Sequence, residues 1–362
     1  MKEYDAIVIG GGPAGLGAAI EVAKAGGHPV LIDENARPGG QLFKQIHKFF
    51  GSREHYAGTR GFAIGEKLLQ EAEDEKVEVQ LNTRVWGIFP DHIVTAVSGK
   101  EAVCFRGKTI ILAAGASENS LSFPGCTLPG VMMAGAAQTM MNLYRTLPGK
   151  EILMIGSGNV GLIVAYQLMQ AGAHVKMLID AAAETNGYEV HAAKIKRAGV
   201  PIRLGHTIVR AEGNGRVESA VICKVDAAFH PVPGTEEKID VDTVCVAVGL
   251  SPRVELSALA GCRFTWAGAL GGQVPVHTSG METTVPGIYV AGDGAGTEEA
   301  STALDQGRMA GVSAAHRCGL LSDLREAEEH RKIQERLDML RSGQFGEKRK
   351  SAEQAVWKAA GE

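Results

Sequence analysis

An α/β fold of two interleaved βαβ units in a three-layer arrangement, followed by a helical C-terminal extension, is what this sequence predicts. Two stretches carry most of the prediction. The strand Asp5-Ala6-Ile7-Val8-Ile9 runs into Gly10-Gly11-Gly12-Pro13-Ala14-Gly15, and the strand Glu151-Ile152-Leu153-Met154-Ile155 runs into Gly156-Ser157-Gly158-Asn159-Val160-Gly161. A third observation is where the 47 glycines fall: they punctuate regular apolar strands, as many tight βα turns require, and do not mark disorder. With 362 residues, 45% of them hydrophobic, the chain can bury a large core and suits two domains. The expected boundaries are residues 1–117 and 250–321 for the two parts of one domain, 118–249 for a domain inserted between them, and 322–362 for the extension.

In the first unit Gly10 allows a tight turn, Gly12 lets backbone N–H groups approach a pyrophosphate, and Gly15 lets the helix pack close to its strand. The helix, entered at Pro13 and Ala14, presents unpaired N–H groups and a partial positive charge to the phosphates. It is expected to run to about Gly26, with Ala18, Ala19, Val22 and Ala23 facing the sheet. The next strand, Val30-Leu31-Ile32, ends in Asp33 with Glu34 beside it, where an acid can accept hydrogen bonds from ribose hydroxyls. These parts in register make a Rossmann-like dinucleotide unit.

The second unit repeats the plan. Gly156, Gly158 and Gly161, with Asn159 and Val160 between them, lead into a helix from Leu162 to about Gln170. A strand from His174 to Ile179 then ends at Asp180. An acid there suits the free 2′-OH of NAD and repels the 2′-phosphate of NADP. No arginine follows it, only Ala181-Ala182-Ala183. The motif specifies an adenine nucleotide better than a nicotinamide, so ADP or ATP stays open beside NAD(H).

Further stretches resemble known flavoproteins. Thr283 to Asp293, an apolar strand followed by Gly-Asp-Gly, resembles the late FAD motif of two-dinucleotide flavoproteins, which implies that Gly292 and Asp293 lie at the ribityl chain beside the pyrophosphate. The run Ser301 to Gly311 is similar to the helix that closes over the flavin, with Ala303 at the cofactor. Gly39-Gly40-Gln41-Leu42 is similar to the GGQL segment of low-molecular-weight thioredoxin reductases, implying that Gly40 and Gln41 sit near the isoalloxazine. Ile110 to Gly115 and Thr243 to Gly249 resemble the crossover strands of that scaffold, which places Ala114, Gly115 and Gly249 at the cofactors. The implied order is FAD domain, inserted NAD(P) domain, FAD domain.

A disulfide reductase needs two neighbouring thiols, one attacking and one resolving. The six cysteines, at 104, 126, 223, 245, 262 and 318, form no such pair and no iron–sulfur or zinc spacing, so no metal is expected. Most are read as small buried apolar residues. The stretch from Ala114 to Gln138, with Phe123-Pro124-Gly125-Cys126-Thr127-Leu128-Pro129-Gly130-Val131 at its centre, resembles the FAD/NAD subunit of multi-subunit amine dehydrogenases and oxidases. That family includes alpha-type subunits of opine oxidase, proline and hydroxyproline dehydrogenases, hydrogen cyanide synthase and sarcosine oxidase. The resemblance implies a beta subunit of D-amino-acid-oxidase type as partner. Many such alpha subunits carry a cysteine-rich iron–sulfur domain, whereas residues 322–362 hold no cysteine, so any cluster is expected on a separate subunit.

Residues 322–362 hold nine acidic and nine basic side chains, with Ile333, Leu337 and Leu340 on one helical face, and fit either a helix packed loosely on the body or a partner-docking helix. Residues 43–61 are rich in aromatics and positive charge and fit an anionic substrate, a second flavin's phosphate, a partner subunit, or a plain surface loop. No residue is assigned a catalytic role. The candidates beside the flavin are Gln41, His47, His55 and Arg60, with Arg53 a further basic group. A net charge of −4 gives no global basic patch for nucleic acid, and no apolar run reaches the ~20 residues needed for membrane insertion. A strand within five residues of the start leaves no room for a signal peptide, so a cytoplasmic location is expected. Three functions fit: an FAD/NAD subunit of a heteromeric amine or amino-acid dehydrogenase, a stand-alone NADH-dependent reductase of ferredoxin, quinone or a small acceptor, and a non-catalytic nucleotide-loaded structural subunit.

Overall fold

The computed structural model describes residues 2–362, excepting the side chains of residues 344 and 345. The chain divides into two compact units, one of Met1–Ser117 with Ser251–Glu362 and one of Glu118–Leu250. In the first, parallel strands lie in the order Glu78–Gln80, Pro29–Ile32, Lys2–Ile9 and Glu101–Leu112, and Ile288–Val290 pairs with the last of these. The long strand Glu101–Leu112 also carries an antiparallel hairpin, Thr83–Phe89 and Ile93–Ser98, on its first half. Ile7, Val8, Ile110 and Ile111 are all fully buried, which explains why these strands read as continuous apolar runs instead of alternating ones.

Register brings the strand ends level. Ile9 lies beside both Ile32 and Leu112, and Leu112 beside Val290. Gly10, Asp33, Ala113 and Ala291 therefore all leave the sheet along one edge, the carboxyl ends of its strands, where open α/β sheets bind ligands.

The helix Pro13–Lys24 starts where expected and stops two residues before Gly26. It packs against Ala300–Arg317 at backbone distance: a Cβ on Gly307 would run into the Ala14 carbonyl oxygen, and one on Gly311 would lie 2.5 Å from the Ala18 oxygen. The small residues of the later helix thus serve helix packing. Residues 322–362 form two helices, Asp323–Leu340 and Gln344–Ala360. They are neither loosely docked nor free for a partner on their apolar face. Ile333 and Leu337 are 3% exposed within the first unit's core, Leu340 is half-buried, and Arg341 and Glu353 are buried charges.

The second unit has a five-stranded parallel sheet in the order Ile202–Leu204, His174–Asp180, Glu151–Ile155, Thr243–Val246, Val131–Met133. Its two faces separate by strand alternation. Ile152, Met154, Val175, Leu178 and Cys245 share a core with the helices, whereas Leu153, Ile155, Met177, Ile179, Val244 and Val246 share another with the antiparallel sheet His206–Glu212, Ser219–Lys224, Glu237–Asp240. Each fully buried aliphatic side chain contributes about 1.5–3 kcal/mol. Ile155 lies level with Ile179 and Val246, so Gly156, Asp180 and Ala247 also meet at one edge.

Candidate nucleotide-binding sites

The first glycine turn is forced by its neighbours. Gly10 takes φ +105°, and a Cβ there would run into the Ala113 carbonyl oxygen; a Cβ on Gly15 would run into the oxygen of Gly10. Gly12 differs from both: nothing lies within 4 Å of where its Cβ would be. Glycine is needed at 10 and 15 for the fold, while at 12 it leaves an open cradle in front of the helix N-terminus. Pro13 occupies the first helical position, where its missing N–H costs nothing.

The structure gathers the other candidates of this unit around that cradle. A Cβ on Gly40 would lie 2.9 Å from Gly12 Cα, and one on Gly292 2.8 Å from Ala14 Cβ and 3.4 Å from Ala303 Cβ. Gly115, at φ +77°, follows half-buried Ala114, and its carbonyl accepts from Arg253 N at 2.9 Å. Gln41 is exposed. Asp33, 6% exposed, is already engaged: Oδ2 accepts from Gly11 N at 2.6 Å, and Oδ1 from Asn35 N and Nδ2, each at 2.8 Å. It holds the turn itself, leaving exposed Glu34, 2.9 Å from Arg84 Nε, as the acid facing solvent. Half-buried Asp293 is pushed up to about 6 by burial, against a hydrogen bond from Glu298 N.

Residues 43–61 form an ordered loop. Phe49 N donates to Thr59 O, Gly58 N to Phe49 O, and Arg60 to the carbonyl of Ile46. His47 stacks on Phe49 at 5.0 Å, and Arg53 and Arg60 are exposed. His55 departs from the expectation of a group facing the flavin: it is 2% exposed, with Nε2 2.7 Å from Asp305 Oδ2 and Nδ1 3.0 Å from Ser52 Oγ. Arg336 adds a two-pronged grip on Asp305 at 2.9 and 3.0 Å, and Arg308 a further contact at 2.9 Å. Burial alone would raise the Asp305 carboxyl, but hydrogen bonds from His55 and Arg336 and the two arginine charges hold it well below the usual carboxylate range. Its partner lies 250 positions away in sequence, which is why pattern reading offered His55 only as a candidate beside the flavin.

The second turn copies the first. Gly156 takes φ +107° against the Ala247 carbonyl, a Cβ on Gly161 would run into the Gly156 oxygen, and Gly158 faces open space. Asp180 Oδ2 accepts from Ser157 N and Oγ, both at 2.6 Å, and Oδ1 from Ala182 N at 2.8 Å. Asn159 Oδ1 accepts from Tyr188 N at 2.7 Å, Val160 is 40% exposed, and Gly249 takes φ +113° beside Asn119. Sequence reading missed a return loop: Asn186 N donates to Ser157 Oγ at 3.3 Å, and a Cβ on Gly187 would lie 3.0 Å from Asn159 N. Gly39 and Gly40 do the same in the first unit, with Gly39 N donating to Gly11 O at 2.6 Å. The spacing from Asp33 to Gly39 equals that from Asp180 to Asn186, a repeat signal beyond the glycine motif.

Within the stretch 114–138, residues 118–138 have local structural work in this unit. Phe123 is 7% exposed, a Cβ on Gly125 would meet the Ala211 carbonyl, one on Gly130 would lie 2.6 Å from Asp242 O, and Glu118 Oε1 accepts from Gly135 N at 2.8 Å. Among the described residues no group of histidines, cysteines and acids could hold a metal, and no helix is long and apolar enough to cross a membrane. All six cysteines are free; Cys223, Cys245 and Cys262 are buried, Cys126 and Cys318 half-buried, and Cys104 exposed.

Two open glycine cradles on parallel-sheet edges define an oxidoreductase of the two-dinucleotide flavoprotein class, and the comparisons agree. Residues 4–317 match the pyridine nucleotide-disulphide oxidoreductase family, and the chain belongs to it. Membership implies FAD and NAD(P) as cofactors. An opine oxidase subunit of Agrobacterium tumefaciens (strain Ach5) is 30% identical over 86% of this chain and 65% of its own length. The hydrogen cyanide synthase subunit HcnB of Pseudomonas aeruginosa is 29% identical over 85% of this chain and 70% of its own. This chain therefore spans about two thirds of the opine oxidase subunits it matches. L-proline dehydrogenase from P. horikoshii shares the fold at TM-score 0.69, with 23% identity over 92% of this chain and 59% of that one.

Proposed function

We propose that this chain is the FAD- and NAD-binding subunit of a heteromeric amine or amino-acid dehydrogenase or oxidase of opine, proline, hydroxyproline or sarcosine type. The carrying observation is the pair of matched cradles on a scaffold with no cysteine pair: Gln41-Leu42-Phe43 follows Gly39-Gly40, and Cys126 has no neighbouring thiol in sequence. Relatives named as subunits of opine oxidase and hydrogen cyanide synthase support a partnered role. A beta subunit of D-amino-acid-oxidase type and a separate iron–sulfur subunit are the proposed partners.

In this reading Gly10, Gly12, Pro13, Ala14 and Gly15 bind the FAD pyrophosphate through helix N–H groups, with Glu34 at the ribose and Gly40, Gln41, Ala114, Gly115, Gly292, Asp293 and Ala303 around the rest. Gly156, Gly158, Asn159, Val160 and Gly161 bind NAD(H), with Gly249 nearby. Asp33 and Asp180 hold the turns in shape and offer only their remaining lone pairs to a ribose. Bound flavin supplies a hydride acceptor for a nicotinamide. The protein's share is orientation, which such a transfer needs more than an acid or base, and this accounts for the lack of an assigned catalytic side chain.

Anaerobic titration of the purified chain with NADH, followed by the flavin absorption band, tests the reading. Bleaching is expected. Retained flavin with no bleaching, and ADP or ATP in the second cradle, would overturn it in favour of a structural subunit. Full turnover with ferredoxin or quinone by the isolated chain would favour a stand-alone reductase.

A further inference from the structure

We infer that the C-terminal helix pair positions the Gly292–Asp293 wall of the first cradle, with Glu353 and Arg341 as positioning residues for the flavin; this rests on the flavin reading above. The contacts begin and end at one turn. Gly292 N donates to Gln306 Oε1 at 3.0 Å, and Gln306 Nε2 donates to Glu353 Oε1 at 2.9 Å. Arg341 Nη2 donates to the same Glu353 oxygen at 3.0 Å, and Arg341 Nε to Glu298 Oε2 at 3.1 Å. Glu298 N then donates to Asp293 Oδ1 at 3.3 Å and closes the ring.

Gln306 and Glu353 are 1% exposed and Arg341 3%, and fully buried His277 sets Nε2 3.5 Å from Glu353 Oε2. A buried ion pair is weak evidence of a stabilising role, because well-packed apolar residues often replace one at no loss. What the ring adds is direction. Gln306 uses both ends of its amide, so Glu353 fixes which end meets Gly292 N. Arg341 neutralises Glu298, whose charge otherwise bears on Asp293. The same helix pair reaches a second stretch near the cradle, since Arg336 grips Asp305, which holds His55 in the loop following Gln41.

The test is FAD titration of full-length apoprotein, with thermal midpoints measured in parallel. Glu353→Ala should weaken FAD binding about tenfold or more, the equivalent of one charge-assisted hydrogen bond, and shift the flavin band. Glu353→Gln, which still presents an oxygen to Gln306 and Arg341, should restore most of the affinity. Leu337→Ala, a buried apolar residue of the same pair, should lower the thermal midpoint and leave FAD affinity within about twofold. Wild-type FAD affinity in folded Glu353→Ala overturns the inference, as does equal weakening by Leu337→Ala. If Glu353→Ala does not fold, Arg341→Lys replaces it: weakening supports the ring and wild-type affinity overturns it. A wild-type chain that takes up no FAD fails earlier and overturns the flavin reading itself.

Discussion

At Gly10 and Gly156 the backbone takes φ of +105° and +107°, each against an alanine carbonyl, and in each turn an aspartate accepts the next N–H at 2.6 Å. The surroundings differ. Helix Pro13–Lys24 is met backbone to backbone through Gly307 and Gly311, and Gly292 closes over Ala14. Helix Asn159–Gln170 meets its neighbour Ala134–Asn142 through amides instead, Gln138 and Asn142 donating to Gln167 Oε1 at 3.0 and 3.1 Å. In the proposed reading the shared turn serves a pyrophosphate in both units. The walls built around it, supplied in the first unit by residues 292–353, are what can distinguish one cofactor from another.

The largest effect should come from the residues that make the turns alike. Gly10→Ala and Gly156→Ala each place a Cβ against a carbonyl in a left-handed backbone, at a cost on the order of 3–5 kcal/mol. If the units are independent in their ligands, Gly10→Ala should lose flavin on purification. Gly156→Ala should keep flavin and lose its reduction by NADH. Flavin content and the NADH titration read both, and a wild-type thermal midpoint in either variant would break the claimed equivalence.

Next is an effect confined to the first unit. Asp305→Asn leaves half-buried Arg336 without its full counter-charge, a loss of about 2–3 kcal/mol at neutral pH, below the roughly 3–5 typical of a fully buried pair. The sign with pH follows from a carboxyl held below its unfolded value. Its contribution is fully present above about pH 4 and fades as pH falls further, because the unfolded state then takes up the proton first. The gap in urea midpoint between wild type and Asp305→Asn should therefore narrow below about pH 4. A gap that stays constant would show that Asp305 matters by shape and not by charge.

Much of this was legible in the sequence because it is local. The two strand–glycine–helix units, the acids after the second strands and the Gly292–Asp293 turn each depend on residues within about 25 positions, and the fold follows from them. What pattern reading could not reach depends on distant partners. Nothing near His55 announces Asp305 and Arg336, and nothing in the balanced charge of 322–362 separates buried Arg341 and Glu353 from exposed Arg331 and Glu335. The charge count fitted a loosely packed helix or a partner-docking one, whereas the helices are pinned by buried charges.

A smaller effect on stability, though not on binding, should follow at the open positions. Gly12 and Gly158 each cap a helix in extended backbone with empty space where a Cβ would go. Gly12→Ala and Gly158→Ala should change stability by only a few tenths to about 1 kcal/mol. The added methyl would occupy the room a pyrophosphate needs, so FAD affinity in the first variant and NADH affinity in the second should fall about tenfold or more. Unchanged affinity in a folded variant would show that its cradle holds no nucleotide.

The turns also separate at the second position of the motif, one of the three at which they differ. Ser157 occupies the place of Gly11, donates to Asp180 and accepts from Asn186 N, all while fully buried. Ser157→Gly gives the second turn the first turn's residue and removes one buried hydroxyl. Asp180 Oδ2 keeps its bond from Ser157 N while Asn186 N loses this acceptor, so the expected loss is about 1–2 kcal/mol in urea unfolding. The reverse exchange should not be mild. A Cβ at Gly11 would lie 2.8 Å from Asp33 Oδ2 and 3.0 Å from Pro38 Cβ, both buried, so Gly11→Ser must displace the acid that holds the turn. Equal and small losses for the two exchanges would mean that the return loops, at 39–40 and 186–187, yield more readily than their hydrogen bonds to residues 11 and 157 suggest.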